Sequence, residues 1–332
     1  MHISKTRGIA AAVMLMTASA SWAFVPAVVY DQAGKFDKSF NEAAYTGAER
    51  FKKATGIAYR EAQIANEAQK EQVLRNLARR NVDLIVAVGF SFTQAVQTVA
   101  AEFPKVKFTI VDDVAKGANV QSIVFKEQEG SYLVGMAAGM ASKSKKVGFI
   151  GGMDVPLIRA FGCGYTQGAK AANGKVEVVS NMTGTTPQAF NDPARGGELA
   201  RSQFDRGVDV VFHAAGGTGM GVLQAAKDKN KLGIGVDSNQ NHLFPGFVLT
   251  SMLKRVDNAV YDLFMAGKNG TWKPGVVSMG LKEGGVDWAL DANNRKLISK
   301  DIEAKVNQAK KDIIAGKVKV VDYRAANSCP VK

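Results

Sequence analysis

The segment VDVVFHAAGGTGMG, residues 208–221, combines a strand pattern with a glycine-rich turn. A short apolar run ends in Phe212 and His213, a glycine cluster follows, and Val222 begins a helical pattern. Glycines let backbone N–H groups approach a ligand closely, with the positive end of the helix behind them. The segment is therefore either the phosphate loop of a nucleotide-dependent enzyme or one lip of a cleft that holds a small polar molecule.

The first 23 residues have the pattern of an export signal. Lys5 and Arg7 precede an apolar run over residues 8–16, and small residues fill most of positions 17–23. The apolar run is too short to span a bilayer, which needs about 20 residues. We predict a signal peptide over residues 1–23, with cleavage after Ala23 favoured over Ala20. No cysteine lies at the cleavage zone, so we expect an exported, soluble chain that is not lipid-anchored.

The composition is that of a globular protein. The chain has 332 residues, of which 46% are hydrophobic and 22% are charged, and this length suggests about two domains. Removing Lys5 and Arg7 with the signal peptide changes the formal net charge from +13 to +11. The lysines are spread without clustering or aromatic interleaving, so we interpret the basic surface as a solvated one and expect no nucleic-acid partner.

The sequence has two cysteines, Cys163 and Cys329. In an oxidising compartment they could pair, but the sequence does not show whether they lie close together. Neither has the spacing of a metal site, and we expect no cofactor.

Strand and helix patterns alternate along the chain. Apolar strands are predicted over residues 25–30, 82–88 and 107–111, and the alternation restarts at 147–150 after a helix rich in small residues. Strands that are apolar on both faces indicate a parallel sheet covered by helices. We therefore predict two successive α/β units with a seam near residues 124–128. The β-rich segment 247–253 is interpreted as a strand that returns to the first unit.

Carboxylates, aromatic rings and glycines occupy the ends of the predicted strands. Ligands of open α/β sheets bind at the carboxyl ends of strands, so these residues would line a cleft if the two edges face each other. The strand-end residues are Asp31, Gly89, Phe90, Ser91 and Asp112 in the first unit, and Gly151, Gly152, Met153, Asp154, Phe212, Gly216, Gly217 and Asp237 in the second.

The patterns of familiar enzyme classes fit this sequence poorly. A dinucleotide fingerprint would place Asp237 on the ribose, but its third glycine position is occupied by Val222. Asp112 and Asp113 could suggest hydrolysis, yet adjacent residues on a strand point to opposite faces, so at most one of them faces a cleft. A binding protein fits better, because carboxylates accept hydrogen bonds from hydroxyl groups and aromatic faces stack on flat rings.

Several long segments closely resemble the basic membrane protein family of ABC-importer substrate-binding proteins, whose best-known type is the purine nucleoside receptor. The resemblance covers about residues 25–270. The segments are VVYDQAGKFDKSFNEAAYTGAERF, VFKEQEGSYLVGMAAG, GFIGGMDVPLIRAFGCGYTQGAK, VDVVFHAAGGTGMG and GVDSNQNHLFPGFVLTSMLKRVDNAVYDLF.

The resemblance implies an α/β fold of the type I periplasmic-binding-protein class. Two Rossmann-like lobes would be joined by a three-segment hinge and would close on the ligand. The N-terminal lobe would comprise residues 24–125 plus about 248–275. The C-terminal lobe would comprise residues 126–247 plus about 276–332.

The resemblance also implies a ligand site. Phe40 and Phe212 would sandwich a purine ring, one from each lobe. Asp31 and Asn41 would lie near the base, and Gly217 would let the backbone approach the ligand. The ribose-binding residues would be Asp112, Asp237 and Lys254, and the complete candidate set is Asp31, Phe40, Asn41, Ser91, Asp112, Met153, Phe212, Gly217, Asp237 and Lys254.

The function that the resemblance implies is a receptor that delivers a nucleoside, of the purine type, to the permease subunits of an ABC importer in the inner membrane. It would act as a monomer and perform no chemistry. Many family members are lipoproteins, so the missing cysteine suggests a freely diffusing periplasmic protein of a Gram-negative cell. The alternatives are a receptor for a free purine base, a purine catabolite or a sugar, an exported nucleoside hydrolase, and a sensor subunit.

Overall fold

The structure is a computed structural model that describes residues 24–331. The predicted signal peptide lies outside the described residues. The chain forms two α/β lobes, as predicted.

The first lobe is built on a six-stranded parallel sheet. Its strands are β1 (Pro26–Tyr30), β2 (Arg60–Gln63), β3 (Leu84–Val88), β4 (Lys107–Val111), β5 (Val120–Phe125) and β11 (Gly275–Met279). Their order across the sheet is β11-β5-β4-β3-β1-β2. Helices cover both faces, and the inward side chains of β1 and β3 are fully buried apolar residues. Its helices are α1 (Phe40–Thr55), α2 (Lys70–Ala78), α3 (Thr93–Glu102) and α8 (Val256–Lys268).

The second lobe has a second six-stranded sheet. Its strands are β6 (Lys146–Met153), β7 (Glu177–Gly184), β8 (Val210–Ala214), β9 (Leu232–Asp237), β10 (Val248–Lys254) and β12 (Val286–Trp288). Their order across the sheet is β12-β10-β9-β8-β6-β7. The pairs are parallel except for β12, which runs antiparallel to β10. The helices are α4 (Glu127–Ala141), α5 (Pro156–Ala172), α6 (Pro193–Asp205), α7 (Gly219–Asp228), α9 (Lys300–Ile314) and α10 (Tyr323–Ala326).

The strand predicted over 247–253 belongs to the second sheet, which corrects its assignment to the first lobe. β10 pairs in parallel with β9, and β11, which the sequence prediction gave to the C-terminal lobe, pairs with β5 in the first sheet. An apolar strand looks the same whichever sheet receives it, so its composition does not identify its neighbour. The exchange places Lys254, the last residue of β10, at the boundary between the lobes.

The chain crosses between the lobes three times. The crossings follow β5, β10 and β11, and they lie side by side because Lys126 N donates to Met279 O at 3.0 Å and Arg255 N donates to Gly285 O at 2.8 Å. These short, adjacent connections form the three-segment hinge that the family resemblance implies.

Helices α4 and α5 pack unusually closely, and this fixes the part of α5 that faces the first lobe. A Cβ atom at Gly135 would lie 2.1 Å from the Tyr165 carbonyl oxygen, and one at Gly168 would lie 2.0 Å from that of Tyr132. Glycines in both helices are therefore needed for this backbone contact between α4 and α5.

Candidate functional site

A cavity lies between the carboxyl edges of the two sheets, and both lobes line it. Five of the predicted residues line it directly: Asp31, Phe40, Asp112, Asp237 and Lys254. The space between the lining side chains, including its opening to solvent, is about 520 Å³. Clefts with apolar walls and a few converging polar groups are typical of small-molecule sites.

Aromatic rings from both lobes form the apolar walls. Phe40 and Phe90 come from the first lobe, and Phe161 and Phe190 come from the second. The Phe90 and Phe190 ring centroids lie 6.3 Å apart, edge to face, which is a direct contact across the cleft. The walls can therefore hold a flat ring from more than one side.

Four aspartates line the cavity, and burial raises the pKa of each of them. Asp31 accepts from Asn41 Nδ2 at 2.7 Å, and burial raises the pKa of its carboxyl. The Asp37 and Asp112 carboxyls each have a pKa raised to about 7 by burial. Burial likewise raises the pKa of Asp237. Oxygen atoms of this kind accept hydrogen bonds from hydroxyl or amino groups of a ligand.

Lys254 supplies the positive charge of the cavity. Its Nζ donates to Asp112 Oδ2 at 2.6 Å and lies 3.0 Å from Glu127 Oε1. Burial lowers the pKa of Lys254, but the carboxylates of Asp112, Glu127 and Asp237 outweigh this effect and raise it. Lys254 therefore remains charged although its side chain is only 1% exposed.

Asp112 and Asp237 share an uncommon backbone conformation. Their φ angles are 82° and 63°, in the left-handed region that few residues other than glycine, asparagine and aspartate adopt. They occupy equivalent places, directly after β4 and at the end of β9, in the two lobes. The turns aim both carboxylates into the cavity, where strained backbone often marks a binding residue.

Direct hydrogen bonds hold the lobes together beside the cavity. Ser39 Oγ of the first lobe donates to Asp237 Oδ2 at 2.5 Å, and Ser238 Oγ of the second donates to Ser39 O at 2.8 Å. Gln240 Nε2 donates to Lys38 O at 2.9 Å. The structure therefore shows the lobes in a closed arrangement.

Phe212 does not line the cavity, which corrects its predicted part in an aromatic sandwich. Its ring is fully buried and packs against Phe149 and Tyr165, with centroids 5.6 Å and 5.3 Å away. Phe212 and Ala214 lie on the same face of β8, but Phe212 is two residues deeper in the strand, so its ring packs in the core while Ala214, at the end of the strand, reaches the cavity.

The other predicted residues are not among those that line the cavity. Asn41 is buried behind Asp31, and Gly217 is adjacent to the lining residue Gly216. Met153 ends β6 and is partly buried. The Ser91 carbonyl accepts from Lys70 Nζ at 2.7 Å at a separate surface depression.

Sequence reasoning missed several lining residues. Asp37 was not among the predicted site residues; its carboxylate accepts the backbone N–H groups of Ser39, Asn41 and Glu42 and also lines the cavity. Phe161 and Phe190 lie within α5 and a short 3₁₀ turn, away from strand ends. The signal for Phe161 is its spacing from Leu157 and Ile158 on one face of α5, which lines the same cavity.

The model of the family described as PnrA-like ABC transporter substrate-binding proteins matches residues 24–323. The chain belongs to this family. A nucleoside-binding protein of an ABC transporter in Lactococcus lactis, named BmpA, is 35% identical over 319 residues, which cover 89% of this chain and 88% of that protein. A solute-binding protein of an ABC transporter system from Aeropyrum pernix has a crystal structure that matches with a TM-score of 0.83, 31% identity, and coverage of 90% and 93%.

The prediction of a freely diffusing periplasmic protein without a lipid anchor is contradicted by other members of the family. A protein from Pyrococcus abyssi named as an uncharacterized lipoprotein is 36% identical over 282 residues, which cover 80% of this chain and 69% of that protein. Such relatives suggest lipid anchoring, and the prediction depended on residues near the cleavage zone that the structure does not describe. Across residues 24–331, we find no helix with the length and apolar character needed to cross a membrane.

Proposed function

We propose that this substrate-binding protein binds a purine nucleoside in the interlobe cavity and delivers it to the permease of an ABC importer. The observation that most strongly supports this is the combination of four phenylalanine rings with four aspartates and Lys254 around one cavity. Rings suit a planar base, and the polar groups suit sugar hydroxyls. The 35% identical Lactococcus relative, named as nucleoside-binding, supports the same ligand class.

The proposal gives each group a part in recognition. The base would lie among Phe40, Phe161 and Phe190, with Asp31 near its polar edge. The ribose hydroxyls would donate to Asp112 and Asp237 and accept from Lys254. Because the two lobes contribute different members of this set, ligand binding and lobe closure would be coupled.

Opening of the lobes would deliver the ligand, chemically unchanged, to the permease. The chain belongs to a family of substrate-binding proteins, and Lys254 is engaged by Asp112 and Glu127. We expect the receptor to act as a monomer. Incubation with inosine should leave the nucleoside intact, and release of free hypoxanthine would instead support a hydrolase.

Isothermal titration of ligand-stripped protein tests the proposal. Adenosine, guanosine and inosine should bind one-to-one in the micromolar range or more tightly. Uridine, free bases and ribose should bind more weakly, because each lacks part of the surface that the cavity recognises. Dissociation constants above about 1 mM for every purine nucleoside, equivalent to less than about 4 kcal/mol of binding free energy, would refute it. If ribose or a free base bound more tightly than every purine nucleoside, that compound would be the ligand in place of the nucleoside.

A further inference from the structure

Residues 320–329 form a C-terminal segment that lies along α5. The segment is held at several points, so it is part of the second lobe rather than a loose end. The contacts are Gln167 Nε2 to Val321 O at 3.0 Å, Val321 N to Gln167 Oε1 at 2.9 Å, Arg159 Nη1 to the Tyr323 hydroxyl at 3.1 Å, and the Cys163–Cys329 disulfide with its Cα atoms 5.6 Å apart. The disulfide that the sequence left open is therefore formed.

The segment carries Arg324 to the first crossing between the lobes. Arg324 Nη2 donates to the Phe125 carbonyl oxygen at 2.8 Å, and its Nη1 lies 3.0 Å from Glu127 Oε2. Asp322 holds the same guanidinium from the other side, at 2.9 Å. Arg324 thus contacts the residues at which the chain passes from β5 to α4.

Glu127 is shared between this arginine and the cavity. Its side chain is fully buried, and its second oxygen, Oε1, lies 3.0 Å from Lys254 Nζ. A buried carboxylate is costly unless positive charge compensates it. If Arg324 were removed, Lys254 would be the one cationic side chain among the described residues that remains within 4 Å of Glu127. Lys254 would then have to compensate both Glu127 and Asp112.

We propose that Arg324 is a positioning residue of the ligand site. By sharing the charge of Glu127 with Lys254, Arg324 weakens the pull of Glu127 on the Lys254 ammonium, which stays on Asp112 and within reach of the ligand, and the disulfide-fastened segment keeps the guanidinium in place. The inference rests on the proposed function, because the effect is read as nucleoside affinity. The family model matches only to residue 323, so Arg324 and Cys329 lie beyond the matched residues.

A double-mutant cycle with Arg324→Gln and Glu127→Gln tests the inference by titration with inosine. R324Q should bind inosine about tenfold more weakly than wild type, because the Glu127 carboxylate, no longer paired with Arg324, competes for Lys254. A tenfold loss of affinity corresponds to about 1.4 kcal/mol of binding free energy. The E127Q/R324Q double variant should bind within about threefold of E127Q, which is about 0.7 kcal/mol. R324K should restore part of the affinity. The matched control is R195Q, which removes an exposed arginine 3.4 Å from Glu198 and should leave affinity unchanged.

The outcomes separate the two proposals. If wild type binds inosine and R324Q binds equally well, or if R324Q costs as much affinity in the E127Q background as in wild type, the positioning role is refuted. If wild type binds no nucleoside, the proposed function fails, and the role of Arg324 in nucleoside affinity fails with it. Urea unfolding of wild type, both single variants and the double variant then still measures whether Arg324 and Glu127 are coupled; additive losses in unfolding free energy would also exclude their pairing.

Discussion

Lys254 Nζ lies 2.6 Å from Asp112 Oδ2, and this contact joins the end of β10 in the second lobe to the residue after β4 in the first. Both side chains are more than nine-tenths buried. The pair closes the cleft at the level of the hinge, next to the place proposed for the ribose. It therefore links the arrangement of the lobes to the chemistry of the cavity.

Replacing Asp112 with asparagine should weaken inosine binding by about 10- to 150-fold, the range for a hydrogen bond to a charged group. Titration calorimetry measures the change. D113N is the matched control, because the neighbouring Asp113 is bonded to Thr93 and does not line the cavity. Equal affinity losses in D112N and D113N would show that the effect is not local to the cavity.

Truncation of Phe161 should mainly lower ligand affinity, and truncation of Phe212 should mainly lower the stability of the fold. F161A removes a cavity wall and should weaken binding by about 5- to 150-fold, as expected for a lost stacking contact of about 1–3 kcal/mol. F212A removes a fully buried core ring and should lower the free energy of unfolding by about 3–5 kcal/mol. Titration and urea unfolding of both variants check this; a stable F212A protein with greatly reduced affinity would restore Phe212 to the site.

Asp37 should make stability depend on pH. Its folded pKa of about 7 lies above the unfolded value near about 3.9, so the folded protein holds the extra proton between these values. The contribution of Asp37 to the free energy of unfolding is complete below pH ~4 and is lost as pH rises through ~7, by up to about 1.4 kcal/mol per unit.

Urea unfolding at pH 5, 6 and 7 tests this dependence. The unfolding free energy of wild type minus that of D37N should fall as pH rises. The exposed variant E198Q serves as a control and should show no such trend. A difference that grows with pH would mean that the three backbone donors keep Asp37 ionised.

Removing the disulfide should destabilise the second lobe. Cys163 and Cys329 are 166 residues apart, and loss of a native disulfide typically costs about 2–5 kcal/mol. The C163S/C329S variant should therefore unfold at lower urea concentration than oxidised wild type. Dithiothreitol should lower the urea midpoint of wild type and leave that of the variant unchanged. Coincident unfolding curves for both proteins would show that the bridge does not constrain the chain.

The strand-end rule found most of the polar site. Asp31, Asp112 and Asp237 follow buried strands of parallel sheets, and the topology of such sheets brings those ends to one edge. It did not find Phe161 and Phe190, which reach the cavity from a helix and a short turn whose positions depend on packing. α5, for example, is placed by its glycine contacts with α4.

The errors have the same physical origin. Phe212 is a β-strand aromatic beside a glycine turn, a pattern that suits a core residue and a cleft residue equally well. Segment 247–253 is apolar enough for either sheet. In both cases the partner that decides the outcome is distant in sequence, so local patterns could not identify it. Arg324 was missed for this reason, since it lies near the C-terminal end of the chain and its partner Glu127 begins α4.

A crystal structure with a purine nucleoside bound is the decisive test of the proposed ligand site. The base should lie within about 4 Å of the Phe40 and Phe161 rings, the usual limit for side-chain contact. The ribose hydroxyls should lie within hydrogen-bond distance of Asp112, Asp237 or Lys254. A nucleoside bound elsewhere, or oriented with its ribose away from these three side chains, would overturn the proposed site.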